Sequence, residues 1–215
     1  MSIFITFEGV EGSGKSTQIQ LLRERLEAQG HRVLVTREPG GCAIADAIRA
    51  ILLDPANREL VPRAELLLYA AARAQHVEQV IRPALAAGNL VLCDRFIDAT
   101  TAYQGSGRGL SANLVAELNG IATAGVMPEL TLLFDLPAEL GLSRARRRNQ
   151  EEALHDEGRF EMETLDFHRC VRDAYLELAG QEPRFRVIDA TGPAEAVADR
   201  VQAAVAAHLE QRVAS

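Results

Sequence analysis

The chain has 215 residues, 47% of them apolar and 25% charged, with a formal net charge of −7. This composition suits one globular domain, or one domain with an inserted subdomain, and excludes disorder, collagen-like repeats and low complexity. Charge-free stretches such as Pro83 to Cys93 are too short to span a bilayer, the first residues run into Glu8 without a signal-peptide pattern, and the acidic balance argues against gripping nucleic acid. A soluble cytoplasmic protein with no membrane or nucleic-acid partner is therefore expected.

Cys42, Cys93 and Cys170 are far apart and form no CxxC pair, which reads as reduced thiols rather than a disulfide framework or zinc site. The basic residues say more. Of 23 in all, Lys15 is the only lysine and the remainder are arginines.

In chain order, Ile3 to Phe7 is rich in β-branched and aromatic residues and reads as a buried strand. A glycine-rich turn follows, then a helix with Ile19, Leu22 and Leu26 on one face, closed by Gly30. Arg32 to Thr36 is a second strand, and Ile44, Ile48 and Ile51 mark a helix over Ile44 to Leu53. A longer helix is predicted over Ala64 to Ala87, kinked by Pro83 or holding it in the last turn. Leu90 to Cys93 and Leu130 to Leu136 are the third and fourth strands, with no element assigned between Phe96 and Glu129. Pro137 opens a helix whose end carries Arg144, Arg146, Arg147 and Arg148. Asn149 to Gly158, polar and acidic, is a candidate lid. A helix over Glu161 to Ala179, a fifth strand over Phe185 to Ile188 and a helix over Ala194 to Gln211 complete the chain. Strands separated by helices at this spacing predict an α/β fold with a parallel sheet covered on both faces. The expected organisation is one domain over residues 1–215 with a lid at about 145–160.

Gly9-Val10-Glu11-Gly12-Ser13-Gly14-Lys15-Ser16, followed by Thr17, fits G-x-x-x-x-G-K-[ST] between a strand and a helix, the pattern of a P-loop. Glycines let successive backbone N–H groups turn toward phosphate oxygens, and the helix N-terminus adds its partial positive charge. Lys15 is placed to reach the β- and γ-phosphates of ATP, and the Ser16 hydroxyl to ligate Mg²⁺. The alternative is an ordinary glycine-rich turn. An NKxD signature for guanine cannot be supplied without a second lysine, so switch GTPases are excluded. Asp94, at the end of the third strand beside this loop, is a second candidate for Mg²⁺, with Arg95 projecting into the same crevice.

At this point the chain resembles bacterial thymidylate kinases, through FITFEGVEGSGKST, TREPGG at Thr36 to Gly41, YAAARAQH at Tyr69 to His76, CDRFIDATTAYQG at Cys93 to Gly105, and GRGL at Gly107 to Leu110. The resemblance implies ATP-dependent phosphoryl transfer to dTMP, giving dTDP, on a five-stranded P-loop nucleoside monophosphate kinase fold that forms a homodimer. Carried over residue by residue, it implies that Arg95 binds the acceptor phosphate, and that Glu11 and Glu38 hold the sugar and the Mg²⁺ and water network with Arg49 nearby. It further implies that Tyr69 stacks on thymine, where the family usually has phenylalanine, that Arg73 donates to a base carbonyl, and that Thr100 and Gln104 read the base edge.

Other readings stand beside these. Tyr69 lies among Leu66, Leu67 and Leu68 and reads equally as a core aromatic. Arg95 has Asp94 and Asp98 as possible partners, and the arginines from 144 to 148 suit a solvated helix end. Glu11 is odd inside a phosphate loop, where an anion repels the ligand, so its side chain is expected to turn away. Gly12 stands where some members of the family carry arginine, so the lid is expected to supply the transition-state arginine. Arg159 is the first candidate and Arg148 the second, with Asp156 or Glu163 as surface partners on the bland reading of Arg159. Gly12→Arg is expected to rescue loss of Arg159 in part. The rival functions are a kinase for another nucleoside monophosphate or a deoxynucleoside, and a P-loop ATPase used as a switch.

Overall fold

The computed structural model describes residues 2–151 and 159–214, the side chains of 148–151 and 213–214 excepted. Five parallel strands, β1 (Ile3–Glu8), β2 (Val33–Arg37), β3 (Leu90–Asp94), β4 (Leu130–Asp135) and β5 (Phe185–Asp189), lie in the order β2-β3-β1-β4-β5. β1 is central because every one of its six residues is buried, so it needs partners on both edges and helices on both faces. Its register pairs Phe7 with Asp94 on β3 and with Leu132 on β4. The chain reverses its direction of winding at β1, so the loop after β1 and the end of β3 open into one crevice at the C-terminal edge of the sheet.

Helix α1 (Lys15–Ala28) buries Ile19, Leu22 and Leu26 as its periodicity predicts, and α9 (Ala194–Ala214) packs against it. The other helices are α2 (Ala43–Leu53), α3 (Pro62–His76), α4 (Arg82–Ala86), α5 (Ile97–Thr100), α6 (Ala112–Thr123), α7 (Ala138–Glu151) and α8 (Leu165–Gln181). Each fully buried Leu, Ile or Phe of this core contributes about 1.5–3 kcal/mol.

The long helix expected over Ala64 to Ala87 runs unbroken through α3, a wide π-helical turn at Val77–Ile81 and α4. Pro83 sits at the start of α4, where its missing N–H is harmless, and the widened turn absorbs the mismatch before it. Helix α8 begins at Leu165 rather than Glu161, because Thr164 caps it by accepting from the Phe167 N–H. Helix α6 lies where no element is expected: it buries the polar Asn119 and Thr123 beside Val115 and Ala122 and leaves Ile121 68% exposed, which blurs its apolar pattern. Of the lid expected at about 145–160, residues 145–151 belong to α7 and residues 152–158 lie outside those described.

β1 ends in Glu8, a fully buried carboxyl that accepts the Phe96 N–H and the Tyr175 hydroxyl, each at 2.7 Å. Burial, and then repulsion from Asp98, pushes its pKa from 4.5 up to about 8 against the pull of Arg95. A raised carboxyl favours the folded state fully below the unfolded value and loses that contribution as pH rises through the folded one. Thermal stability should therefore decline from about pH 5 to pH 8 through this group, and Glu8→Gln, which keeps an acceptor for Phe96 but cannot ionise, should flatten the decline. Melting curves across this range check it; an unchanged slope removes Glu8 as the source.

Candidate active site

The crevice is a cavity of about 610 Å³. Its lining brings together Glu11 to Thr17 of the loop after β1, Glu38, Arg49, Tyr69, Arg73, Asp94, Arg95, Thr100 and Gln104, all singled out from sequence. Gly9 and Val10 stand behind the loop instead, their carbonyls accepting the Lys15 ammonium at 3.1 Å each.

Lys15 also donates to Ser13 Oγ at 3.3 Å and is only 7% exposed. Burial, and then repulsion from Arg95, lowers its pKa to about 8, while Asp94, Glu11 and Glu8 pull it back up. Ser16 Oγ donates to Asp94 Oδ2 at 3.3 Å, and Asp94 Oδ1 is buried with no hydrogen-bond partner among the described residues. A hydroxyl beside an orphaned carboxylate oxygen suits a hard cation such as Mg²⁺, which keeps its waters and takes one or two carboxylates.

Glu11 does turn away from the loop, toward Arg95 at 3.1 Å and the Tyr103 hydroxyl at 2.6 Å, with His168 Nδ1 3.3 Å from its other oxygen. These partners outweigh burial and hold its pKa down to about 2. Arg95 therefore pairs with Glu11, not with Asp94 or Asp98, and also donates to the Gly9 carbonyl and Tyr175. Asp98 is taken by Arg184 through two bonds of 2.8 and 2.7 Å.

Arg73 is 1% exposed and donates to Glu38 at 2.7 Å, Asn119 at 2.8 Å, the Phe96 carbonyl at 3.0 Å and Thr100 Oγ1 at 2.9 Å. His76 Nδ1 holds the other Glu38 oxygen at 3.0 Å. Arg49 donates to the Pro39 carbonyl. Tyr69 does both things open to it: the half-buried ring lines the cavity and packs on the core, with burial raising its hydroxyl pKa. Thr100 and Gln104 are brought in by α5 and a π-helical turn at Thr101–Gly107, a rare geometry that recurs at functional sites.

The arginines beyond the sheet fall differently. Arg159 is buried and donates to Glu65 Oε2 at 2.6 Å and to the Leu52 carbonyl, outside the cavity lining. Among the described residues its partner is thus Glu65 rather than Glu163, because Glu65, with no exposed surface, demands cations more strongly than a solvated carboxylate does, while Asp156 lies outside the described residues. Arg144 on α7 lines the cavity instead, and the Arg148 side chain lies outside those described. A side chain at Gly12 would collide with the Gly141 carbonyl of α7, at a backbone φ of +69°, so Gly12→Arg offers no rescue. Tyr103, His168, Tyr175, Glu8 and Glu65 were missed from sequence. Tyr103 sits inside the AYQG segment and Glu8 inside FITFEGVEGSGKST, so both were open to reading; the others carry no motif.

A family model for thymidylate kinases matches residues 7–201. The chain is 60% identical over 202 residues to a thymidylate kinase of Syntrophotalea carbinolica, covering 94% of each. It is 58% identical over 212 residues to one of Geotalea uraniireducens, covering 98% of this chain and all of that one. The crystal structure of thymidylate kinase from Ehrlichia chaffeensis superposes with a TM-score of 0.75 at 34% identity, covering 95% of this chain and 98% of the other.

A polyanion drawn to Lys15 raises its pKa again, so binding of ATP near pH 8 should take up protons, and much less near pH 6.5, where the ammonium is already charged. Calorimetry in buffers of different ionisation enthalpy measures the uptake. Lys15→Ala should abolish it.

Proposed function

The chain belongs to the thymidylate kinase family, and we propose that it transfers the γ-phosphoryl group of ATP to the 5′-phosphate of dTMP, giving dTDP and ADP. The observation that supports this most is that one cavity joins the Lys15 phosphate loop to a flat, arginine-backed recess at Tyr69, Arg73, Thr100 and Gln104.

Phosphoryl transfer asks the protein for alignment, exclusion of water and stabilisation of charge. Lys15 and the loop N–H groups hold the donor phosphates. Arg95, fixed between Gly9, Tyr175 and Glu11, meets the acceptor phosphate, which is itself the nucleophile and needs no general base. Tyr69 offers a face to the base, and Arg73 and Thr100 offer donors, Thr100 because its oxygen already accepts from Arg73. Ser16 and Asp94 would hold Mg²⁺, which neutralises developing charge when bound. Arg144, rather than Arg159, is the lid-side cation that reaches this space. In the same reading the enzyme is cytoplasmic and a homodimer, and the exposed Ile44 and Ile51 of α2 with Leu67 of α3 suit the self-association face.

ADP release measured against a panel of monophosphates tests the reading. dTMP should be preferred and dUMP weaker, since a missing methyl is worth only about 1–3 kcal/mol; purines should be poor. Comparable specificity constants for dGMP or AMP would overturn it. Lys15→Ala should lower kcat by about 10² to 10³, and Arg144→Ala by at least about tenfold. Arg159→Ala should act first on stability, at a cost of about 3–5 kcal/mol for stranding part of a buried ion pair, read as a lowered Tm.

A further inference from the structure

Glu65 lies in the first turn of α3 with no exposed surface. Two guanidinium groups face it: Arg159 donates to Oε2 at 2.6 Å, and Arg108 to both oxygens at 3.3 Å. A carboxylate held this way offers acceptors only. Its remaining partner is the side-chain amide of Gln104, whose Nε2 donates to Oε1 at 2.7 Å. Turning that amide over would set its carbonyl oxygen against a carboxylate oxygen inside the protein, where an unmatched polar contact is costly. The Gln104 side chain is therefore locked with its nitrogen inward, while the residue lines the cavity and its carbonyl oxygen accepts no hydrogen bond among the described residues.

We propose that Glu65, which does not line the cavity, is a specificity-determining positioning residue that fixes the donor and acceptor polarity of Gln104. A carbonyl oxygen presented to the base accepts from a ring N–H, as thymine and uracil carry at N3. Cytosine carries a lone pair there and is repelled. The carboxylate beneath the site thus selects imide bases over cytosine without touching the nucleotide. Arg108 and Arg159 hold it in place; Arg108 is in turn held by Glu163 at 2.7 Å.

The inference rests on the dTMP reading of the cavity, and the wild-type enzyme separates the two. If it forms no dTDP from dTMP, the functional reading fails. If it prefers dTMP to dCMP, Glu65→Gln is the next test, because an amide at this position can donate as well as accept and so releases Gln104 to turn. The ratio of kcat/KM for dTMP to that for dCMP should fall at least about tenfold, through KM, with kcat at saturating dTMP held within about threefold. A purely structural Glu65 would lower Tm and leave the ratio unchanged, which would overturn the proposal. The swap Glu65→Gln with Gln104→Glu conserves the charge of the cluster and covers failure of the single variant to fold. It turns a carboxylate oxygen, an acceptor like the Gln104 carbonyl it replaces, to the cavity and should keep the preference for dTMP; loss of that preference in the swapped protein also overturns the assignment.

Discussion

Arg95 holds a backbone conformation that a side chain resists, with φ at +67°, immediately after β3. Left-handed backbone at a non-glycine residue costs about 1–2 kcal/mol, and two carboxyls, the buried Glu8 and the half-buried Glu11, offset it. Glu8 takes the N–H of the next residue, Phe96, and Glu11 takes the guanidinium. This one turn aims the Arg95 guanidinium into the crevice and leads the chain into α5, which brings Thr100 and Gln104 to the lining of the same cavity. It also ties β3 to the phosphate loop through the Gly9 carbonyl and to α8 through Tyr175. The two halves of the cavity thus share one anchor.

The same logic recurs around the site. Arg73 is backed by Glu38, Arg95 by Glu11, and Arg108 and Arg159 by Glu65. Long cationic side chains lose rotamer freedom when they bind an anion, and a buried carboxylate behind each one imposes that loss at folding rather than at binding. An acidic chain can therefore receive two polyanions. The negative charge of Glu38, Glu11 and Glu65 is committed to orienting arginines.

The strands, the phosphate loop and the TREPGG and DRF segments were legible because their signals are local: β-branched runs, glycines at fixed spacing, a carboxylate ending a strand. The rest depends on contacts between distant residues. Glu8 and Tyr175 are 167 positions apart and Arg159 and Glu65 are 94 apart, and no periodicity reveals such partners. Helix α6 escaped for a related reason: Asn119 is buried because Arg73 needs an acceptor, so a demand of the site overrode the apolar pattern. Arg159 looked like a free lid cation only because its acceptor, Glu65, reads from sequence as an ordinary acid in the first turn of a helix.

One packing contact explains why the phosphate loop carries a single cation. Gly12 and Gly141 bring the loop and α7 so close that a Cβ on Gly12 meets the Gly141 carbonyl and one on Gly141 meets the Glu11 carbonyl. Neither backbone can withdraw without moving a helix whose Leu142 and Ala145 are buried. A side chain at Gly12 is thereby opposed, yet the same approach brings Arg144, on the next turn of α7, to the lining of the cavity that Lys15 shares. The close approach that denies the loop a second charge thus delivers one from the helix.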